Sequence, residues 1–223
     1  MISASPPPSR FLRHLPIALI LFGLAFRLAF IHRHGVWLDE ALGIRGAQGS
    51  WREFARFMTL DVHPPLYYLI LRVLVRISDQ PVVWRIFSAL CGTAGLIVFY
   101  RTIREHLHAG AALFSLLLLT ISPFAVFYSQ EIRMYGLLFL LSCLCMNTVM
   151  RMAKRPEAGP FSVFMICAGA ALYTHYYAGI LVAGLLVFYA WERINDGAGK
   201  CRTAAEVLYC GIGLAILFFP WLG

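Results

Sequence analysis

The feature that most restricts the fold of this chain is a series of long, almost uncharged apolar runs. Only 13% of the 223 residues are charged, against about 25% in typical soluble domains. A bilayer-spanning helix needs about 20 mostly apolar residues, whereas a β-barrel strand would show alternation. The sequence therefore predicts an all-α, polytopic integral membrane helical bundle. The runs cover residues 15–31, 82–100, 109–127, 137–150, 161–173, 180–191 and 204–221.

The basic loops between these runs indicate how often the chain crosses the membrane. Short cytoplasmic loops carry an excess of Lys and Arg. If residues 64–77 formed an eighth span, and the amino terminus were inside, the basic loops 101–108, 151–159 and 192–202 would all lie outside. With about seven transmembrane helices, these loops are all cytoplasmic. The net charge of +8 is then explained by helix orientation, and no nucleic-acid partner is expected.

Two regions complete the predicted organisation. Residues 1–14 are expected to form a disordered cytoplasmic arm. Residues 15–223 are expected to form one transmembrane domain, whose first external loop covers residues 32–84. This topology places the amino terminus in the cytoplasm, and the compact loops favour a bacterial inner membrane.

The external loop contains two amphipathic segments. "SWREFARFM" opens with a capping box made by Ser50 and Glu53, and its apolar residues repeat on one helix face. Residues 64–77 are too short to cross a bilayer and carry Arg72 and Arg76 on one face. Both segments are predicted to be juxtamembrane helices at the outer membrane surface.

Most of the charged residues that could take part in catalysis or binding fall on the outer side of this topology, although they were not used to choose it. "WLDEALG" places two adjacent carboxylates in an apolar setting, which suits a general base, although the dipeptide alone favours an acid pair in the first turn of a helix. "FYSQEIRMYG" contains a Glu and an Arg that could form a structural ion pair or a functional cluster. The outer charged residues are Asp39, Glu40, Asp61, His63, Glu131, Arg133 and His175.

Five sequence blocks occur in an order and spacing that resemble the GT-C glycosyltransferases. They are "WLDEA", "DVHPPLYYLILRVL", "WRIFSALCGTAGLIVFYRTIR", "SPFAVFYSQEIRMYGLLFLLS" and "LYTHYYAGILV". The resemblance is greatest to the branch that includes protein O-mannosyltransferases and lipid A aminoarabinose transferases, and it covers most of residues 15–190. It implies an enzyme that transfers a sugar from a polyprenyl-phosphate donor to a lipid, glycan or protein acceptor on the extracytoplasmic face.

The same resemblance implies roles for four acidic residues. Asp39 and Glu40 match the acidic pair of the first loop, whose aspartate is the proposed general base of the mannosyltransferase branch. Glu40 is expected to support that base. Asp61 and Glu131 match acids that approach a divalent metal in some relatives, while other relatives work without one. The resemblance therefore leaves a divalent metal ion open as a cofactor.

The chemistry of an inverting transfer suggests roles for further residues. A base must deprotonate the acceptor hydroxyl, and cations or hydrogen-bond donors must stabilise the departing phosphate. Arg133, His63 and Arg85 are the candidates for binding the carrier phosphate. The other candidates for substrate contact are Trp37, Tyr67, Tyr128, Gln130, Tyr135 and His175.

Two other functions are compatible with parts of the sequence. Members of the family that this chain resembles are longer, so the chain is expected to correspond to their N-terminal half, apparently truncated. A non-catalytic membrane subunit is therefore one alternative. A secondary transporter is a weaker alternative, because transporters place polar groups at the bilayer midplane, where this sequence is apolar except for Arg27.

Overall fold

The fold is described from a computed structural model, which covers residues 10–33, 35–154 and 157–222. Within these ranges the chain is helical and contains no strand, which confirms the all-α prediction. The helices are α1 (Arg10–Leu28), α2 (Leu38–Gln48), α3 (Trp51–Leu60), α4 (Leu66–Ile77), α5 (Pro81–Arg104), α6 (Ala109–Ile121), α7 (Pro123–Tyr128), α8 (Tyr135–Lys154), α9 (Ala158–Leu172), α10 (Ala178–Asn195) and α11 (Lys200–Leu222).

Four of the apolar runs form helices with the length and composition of membrane spans. Helices α5, α8, α10 and α11 are long and apolar enough to cross a membrane. Three shorter apolar helices lie within α1, α6 and α9. The number of seven crossings therefore remains a prediction.

Two boundaries differ from the sequence prediction. Helix α1 already begins at Arg10, so residues 10–14 of the predicted disordered arm are helical, and residues 1–9 lie outside the described part of the chain. The apolar run 109–127 is not one helix. Ser122 ends α6 and caps α7 by accepting a hydrogen bond from the backbone N–H of Ala125, and Pro123 has no N–H with which to continue α6.

The predicted external loop contains three helices, α2, α3 and α4. Helix α3 has the predicted capping box, in which Ser50 and Glu53 each accept a hydrogen bond from the other's backbone N–H. It buries Phe54 and Met58 and exposes its arginines. Helix α4 begins directly after the two prolines, and it packs against both α2 and α5.

Arg72 and Arg76 lie on α4 in different surroundings. Arg76 is exposed, whereas Arg72 is buried and its Nη1 donates to the carbonyl oxygens of Ala47 (2.9 Å) and Gly49 (2.6 Å). These carbonyls belong to the C-terminal end of α2, which lacks intrahelical partners and carries a partial negative charge. Arg72 therefore fixes the C-terminal end of the helix whose first turn contains the acidic pair.

Helix α8 is the centre of the bundle, because it packs against α5, α9 and α10. The approach of α8 to α5 is close: a Cβ atom added at Gly136 would lie 2.6 Å from the backbone oxygen of Ser88. Helix α11 packs on α9 and α10, and α1 packs on α5 and α6.

Four connecting segments meet at one end of the bundle. Arg85 of α5 donates to Ile31, Gly35 and Glu40, and the backbone N–H of Ile132 also donates to Glu40. The backbone N–H of Leu66 donates to the carbonyl of Tyr173 at 2.9 Å, which joins the start of α4 to the end of α9. This end of the bundle contains the charged residues that the predicted topology assigned to the outer side.

Candidate active site

The two adjacent carboxylates lie in the first turn of α2 and have opposite surroundings. Glu40 is buried: its Oε2 accepts from Arg85 Nη2 at 2.9 Å, and its Oε1 accepts from the backbone N–H of Ile132 at 2.8 Å. The side chain of Asp39 is 46% exposed. Glu40 therefore joins α2, α5 and the 129–134 turn, while Asp39 faces outward.

Arg133 lies beside the exposed carboxylate. Its Nη2 is 3.9 Å from Asp39 Oδ2, and its Nη1 donates to the backbone oxygen of Asp39 at 3.4 Å. Nη1 also donates to the hydroxyl oxygen of Tyr68 at 3.4 Å. Arg133 itself is buried, so it presents a positive charge from the protein interior to the exposed carboxylate of Asp39.

Tyr68 connects Arg133 to a second acidic residue. Because a guanidinium can only donate, the Tyr68 hydroxyl must use its own proton elsewhere, and it donates to Asp61 Oδ2 at 3.2 Å. Burial raises the pKa of Tyr68, so the hydroxyl stays protonated. A continuous set of hydrogen bonds therefore runs from Asp61 through Tyr68 to Arg133 and Asp39.

Asp61 is paired with His63. Asp61 Oδ1 accepts from the backbone N–H of His63 at 2.7 Å and lies 2.9 Å from its Nδ1. Burial opposes ionisation of Asp61, but the hydrogen bonds from His63 and Tyr68 outweigh it and hold the pKa of Asp61 below its ordinary value. The carboxylate therefore fixes the orientation of the His63 ring.

His175 faces His63, with the ring centroids 5.3 Å apart. The backbone N–H of Tyr177 donates to Nδ1 of His175 at 3.1 Å, so this nitrogen is unprotonated and the ring proton must be on Nε2. Burial, followed by the charges of His63 and Arg133, lowers the pKa of His175. His175 is therefore a neutral ring that can donate one hydrogen bond from Nε2.

Glu131 lines a cavity of about 220 Å³ at this end of the bundle. Burial and the nearby charge of Glu40 raise the pKa of Glu131 to about 7. Its Oε2 is buried and has no hydrogen-bond partner among the described residues. The cavity is lined by Gly35, Trp37, Glu40, Arg85, Phe127, Gln130 and Glu131.

A larger, mainly apolar groove of about 450 Å³ lies on the other side of the 127–135 segment. A row of aromatic rings forms part of its wall, with centroids 4.6 Å apart between Tyr128 and Tyr135 and 6.3 Å apart between Tyr135 and His175. The groove is lined by Leu119, Ser122, Phe124, Ala125, Tyr128, Ser129, Tyr135, Leu138, Phe139, Ser142, His175 and Tyr177.

Comparison with known proteins identifies the family to which this arrangement belongs. The family described as dolichyl-phosphate-mannose-protein mannosyltransferase matches residues 62–223. The chain belongs to this family. It is therefore a member of the GT-C superfamily and an integral membrane protein, as the sequence motifs predicted. No curated protein matches the chain significantly.

The fold is also found in a solved structure of this mannosyltransferase family. The chain is similar to the Saccharomyces cerevisiae protein O-mannosyltransferase Pmt1-Pmt2 complex bound to the sugar donor, with a TM-score of 0.66 and 18% sequence identity. The similarity covers 97% of this chain and 33% of the yeast chain. The present chain thus spans about a third of the length of that mannosyltransferase chain.

Three residues with predicted roles at the site make hydrogen bonds within the protein that hold their side chains in place. Arg85 is buried and donates to Ile31 O, Gly35 O and Glu40, so it holds the loop after α1 and has little freedom to follow a phosphate. Glu40 is likewise held in this pair. Gln130 donates from Nε2 to the carbonyl oxygens of Arg27 and Ala29, both at 3.0 Å, and so caps α1.

Tyr67 also differs from the prediction that it lines a groove. Its side chain is completely buried in the core between α4, α5 and α8. Tyr68, the next residue, makes the polar contacts instead, and no feature of the sequence distinguishes it from Tyr67. The sequence contains two adjacent tyrosines, and the helical turn alone decides which of them points toward Asp61.

A divalent metal would require several convergent ligands. The described residues contain no group of three His, Cys, Asp or Glu side chains that could hold a metal ion. Asp61 is occupied by hydrogen bonds from His63 and Tyr68, whereas Glu131 lines the cavity with Glu40. These residues do not fit a metal centre on their own, and no step of the proposed reaction uses one.

Proposed function

We propose that the chain forms the membrane part of a glycosyltransferase that moves a sugar from a polyprenyl-phosphate donor to an acceptor hydroxyl. The observation that carries this proposal is the position of Asp39, an accessible carboxylate whose neighbour Glu40 is fully occupied by a buried ion pair. The family match and the donor-bound yeast relative support the same reaction class.

The proposed reaction is an inverting displacement. Asp39 accepts the proton of the acceptor hydroxyl as its oxygen attacks the anomeric carbon. The bond between that carbon and the phosphate oxygen breaks, and the polyprenyl phosphate leaves with both electrons. The guanidinium of Arg133 counters the charge of the phosphate, and His63 and His175 offer further hydrogen bonds.

The groove beside the 127–135 segment suits the lipid portion of the donor. Its walls are mainly apolar, and His175 lies at the border between the groove and the polar residues around Asp61. An isoprenoid chain placed there would leave its phosphate next to the hydrogen-bond donors. We propose that the aromatic residues Tyr128 and Tyr135 contact the first isoprene units.

The charges at the opposite end of the bundle support a proposal for the side of the membrane on which the site lies. That end contains Arg101 and Arg104 at the end of α5, and Arg151 and Lys154 at the end of α8. The positive-inside rule supports a cytoplasmic position for that end. We propose that the site lies on the extracytoplasmic face of a bacterial inner membrane, and that the acceptor is a lipid, glycan or protein there.

A transfer assay in membranes tests the function. Membranes containing the wild-type chain, Asp39→Asn or Asp79→Asn would receive a radiolabelled polyprenyl-phosphate hexose and native membrane acceptors. We expect label transfer by the wild type and by Asp79→Asn, which changes an exposed carboxylate, and a loss of about 100-fold or more in Asp39→Asn. Unchanged transfer in Asp39→Asn would refute the assignment of the base.

The same assay distinguishes the alternative function. If the wild-type chain is correctly inserted and binds the donor but transfers no label, the result favours a non-catalytic membrane subunit.

A further inference from the structure

The cavity beside Glu131 contains a hydrogen-bond acceptor that the fold leaves unused. Glu131 is only 7% exposed, and its Oε2 has no partner among the described residues. Burying a carboxylate oxygen without a hydrogen bond is unfavourable, so such groups are uncommon outside functional sites. The unused oxygen indicates a ligand that donates a hydrogen bond in this cavity.

The charges around the cavity indicate which ligand groups it accepts. Glu40 and Glu131 both line it, and the guanidinium of Arg85 already pairs with Glu40. An additional anion would be repelled by the carboxylates. A hydroxyl group, in contrast, can donate to Glu131 in either of its ionisation states.

The position of the cavity indicates which part of the donor it receives. Glu40 and Glu131 line the cavity, and Asp39 and Arg133, which lie one and two residues from them in sequence, are 3.9 Å apart. The cavity therefore adjoins the proposed phosphate contact and the proposed base. The donor sugar is bonded directly to the phosphate and must therefore lie beside Arg133. The lipid has its own apolar groove on the other side of the 127–135 segment.

The cavity walls are suited to a sugar ring. Trp37 contributes an aromatic side chain that is 45% exposed, and Phe127 lies in the same lining. Aromatic faces pack against the C–H groups of a ring, while the polar groups of the cavity fix its orientation. The volume of about 220 Å³ is sufficient for one sugar ring.

We propose that Glu131 selects the sugar of the donor by accepting a hydrogen bond from one of its ring hydroxyls. This inference rests on the proposed function, since it assumes a polyprenyl-phosphate sugar as donor. Glu131 acts here as a specificity-determining residue, and the proton transfer from the acceptor remains with Asp39.

Binding measurements on the full chain in nanodiscs test this role without requiring turnover. Dissociation constants would be measured for polyprenyl-phosphate mannose, polyprenyl-phosphate glucose and polyprenyl phosphate without a sugar. In the wild type we expect at least one sugar to increase affinity about 10- to 100-fold over the bare phosphate. This gain should nearly vanish in Glu131→Leu and decrease in Glu131→Gln, while binding of the bare phosphate is retained.

Glu105→Gln, which changes an exposed carboxylate at the opposite end of α5, is the matched control and should keep the full gain. The inference is overturned if Glu131→Leu keeps the wild-type gain, or if neither sugar increases the affinity of the wild type. Retained binding of the bare phosphate verifies that each variant is folded.

These outcomes separate the inference from the proposed function. A gain that depends on Glu131, in a chain that transfers no label, would support the sugar site and refute the catalytic activity. Transfer that depends on Asp39, with a gain that is independent of Glu131, would support the enzyme and refute the sugar site. If the wild type binds none of the three lipids, both are refuted.

Discussion

Glu40 and Arg85 form a completely buried ion pair, with 2.9 Å between Oε2 and Nη2, in the same helical turn that exposes Asp39. The pair joins the first turn of α2 to α5, and Glu40 also holds the 129–134 turn through the N–H of Ile132. One carboxylate of the "DE" dipeptide thus fixes the backbone that positions the other. The structural interpretation of the dipeptide therefore applies to Glu40, whereas the catalytic interpretation is the one proposed for Asp39.

The first prediction concerns this ion pair. Glu40→Gln should destabilise the protein by about 3–5 kcal/mol, because it leaves the Arg85 guanidinium buried beside a neutral group. The free energy of unfolding from denaturant titration in detergent measures the effect. Glu105→Gln removes an exposed pair with Arg151 and should cost less than about 1 kcal/mol. Equal losses in both variants would contradict the structural role of Glu40.

The second prediction concerns Tyr68, whose hydroxyl donates to Asp61 and accepts from Arg133. Tyr68→Phe should reduce the free energy of unfolding by about 1 kcal/mol. The loss in the rate of sugar transfer, expressed as a free energy, should be larger, because Arg133 loses a contact that orients it toward Asp39. Rates for Tyr68→Phe, Asp61→Asn and the double variant form a cycle. We expect the double variant to lose less than the sum of the single losses.

The control for this cycle is Tyr209→Phe, which removes a hydroxyl from a tyrosine that is 68% exposed. It should leave both stability and transfer unchanged. Strictly additive losses for Tyr68 and Asp61 would show that their hydrogen bond does not contribute to transfer.

The third prediction compares two arginines on α4. Arg72→Gln removes the charged donor from the C-terminal end of α2 and its stacking on Trp51, where the guanidinium carbon lies 4.2 Å from the ring centroid. We expect a loss of about 2 kcal/mol or more in the free energy of unfolding. Arg76→Gln, one turn away and exposed, should change it by about 0.5 kcal/mol or less. Similar effects at both positions would contradict the capping role of Arg72.

How far the sequence predicted this arrangement depends on the distance over which each interaction acts. Capping of α3 by Ser50 and Glu53 is local, so a stretch of four residues of sequence was sufficient. The grouping of Asp39, Asp61, Glu131 and His175 at one end followed from the loop charges, because the positive-inside rule assigns whole loops to a side. Hydropathy alone gives no sign that the apolar run 109–127 divides into α6 and α7, a break that follows from the missing N–H of Pro123.

The pairing of individual side chains was beyond the reach of the sequence. Arg85 and Glu40 are 45 residues apart, and nothing in the local pattern indicates that they meet. The sequence therefore indicates Arg85 as a candidate for binding the carrier phosphate. Tyr68 was missed and Tyr67 was chosen because an aromatic pair gives no information about which ring faces the polar site. Such assignments require the relative rotation of α4 and α2, which depends on packing.

The fourth prediction is a pH dependence from Glu131. Burial and the charge of Glu40 raise its pKa in the folded protein from 4.5 to about 7. The folded state therefore binds this proton more tightly than the unfolded state, and the contribution of Glu131 to stability falls as the pH rises from about 4.5 through about 7. Glu131→Gln should remove this slope. The measurement is the difference in unfolding free energy between wild type and variant across that range, and a constant difference would contradict the raised pKa.

The fifth prediction tests the sidedness on which the proposed function depends. Cysteines introduced at Asp79 and His106 lie at opposite ends of α5, and both positions are exposed. The background should contain Cys201→Ser, because Cys201 is exposed while the other five cysteines are buried. In intact cells, a membrane-impermeant maleimide should label position 79 and should reach position 106 only after permeabilisation. Labelling of position 106 in intact cells would place the basic loop outside. The candidate active site would then face the cytoplasm, where an extracytoplasmic acceptor could not reach Asp39.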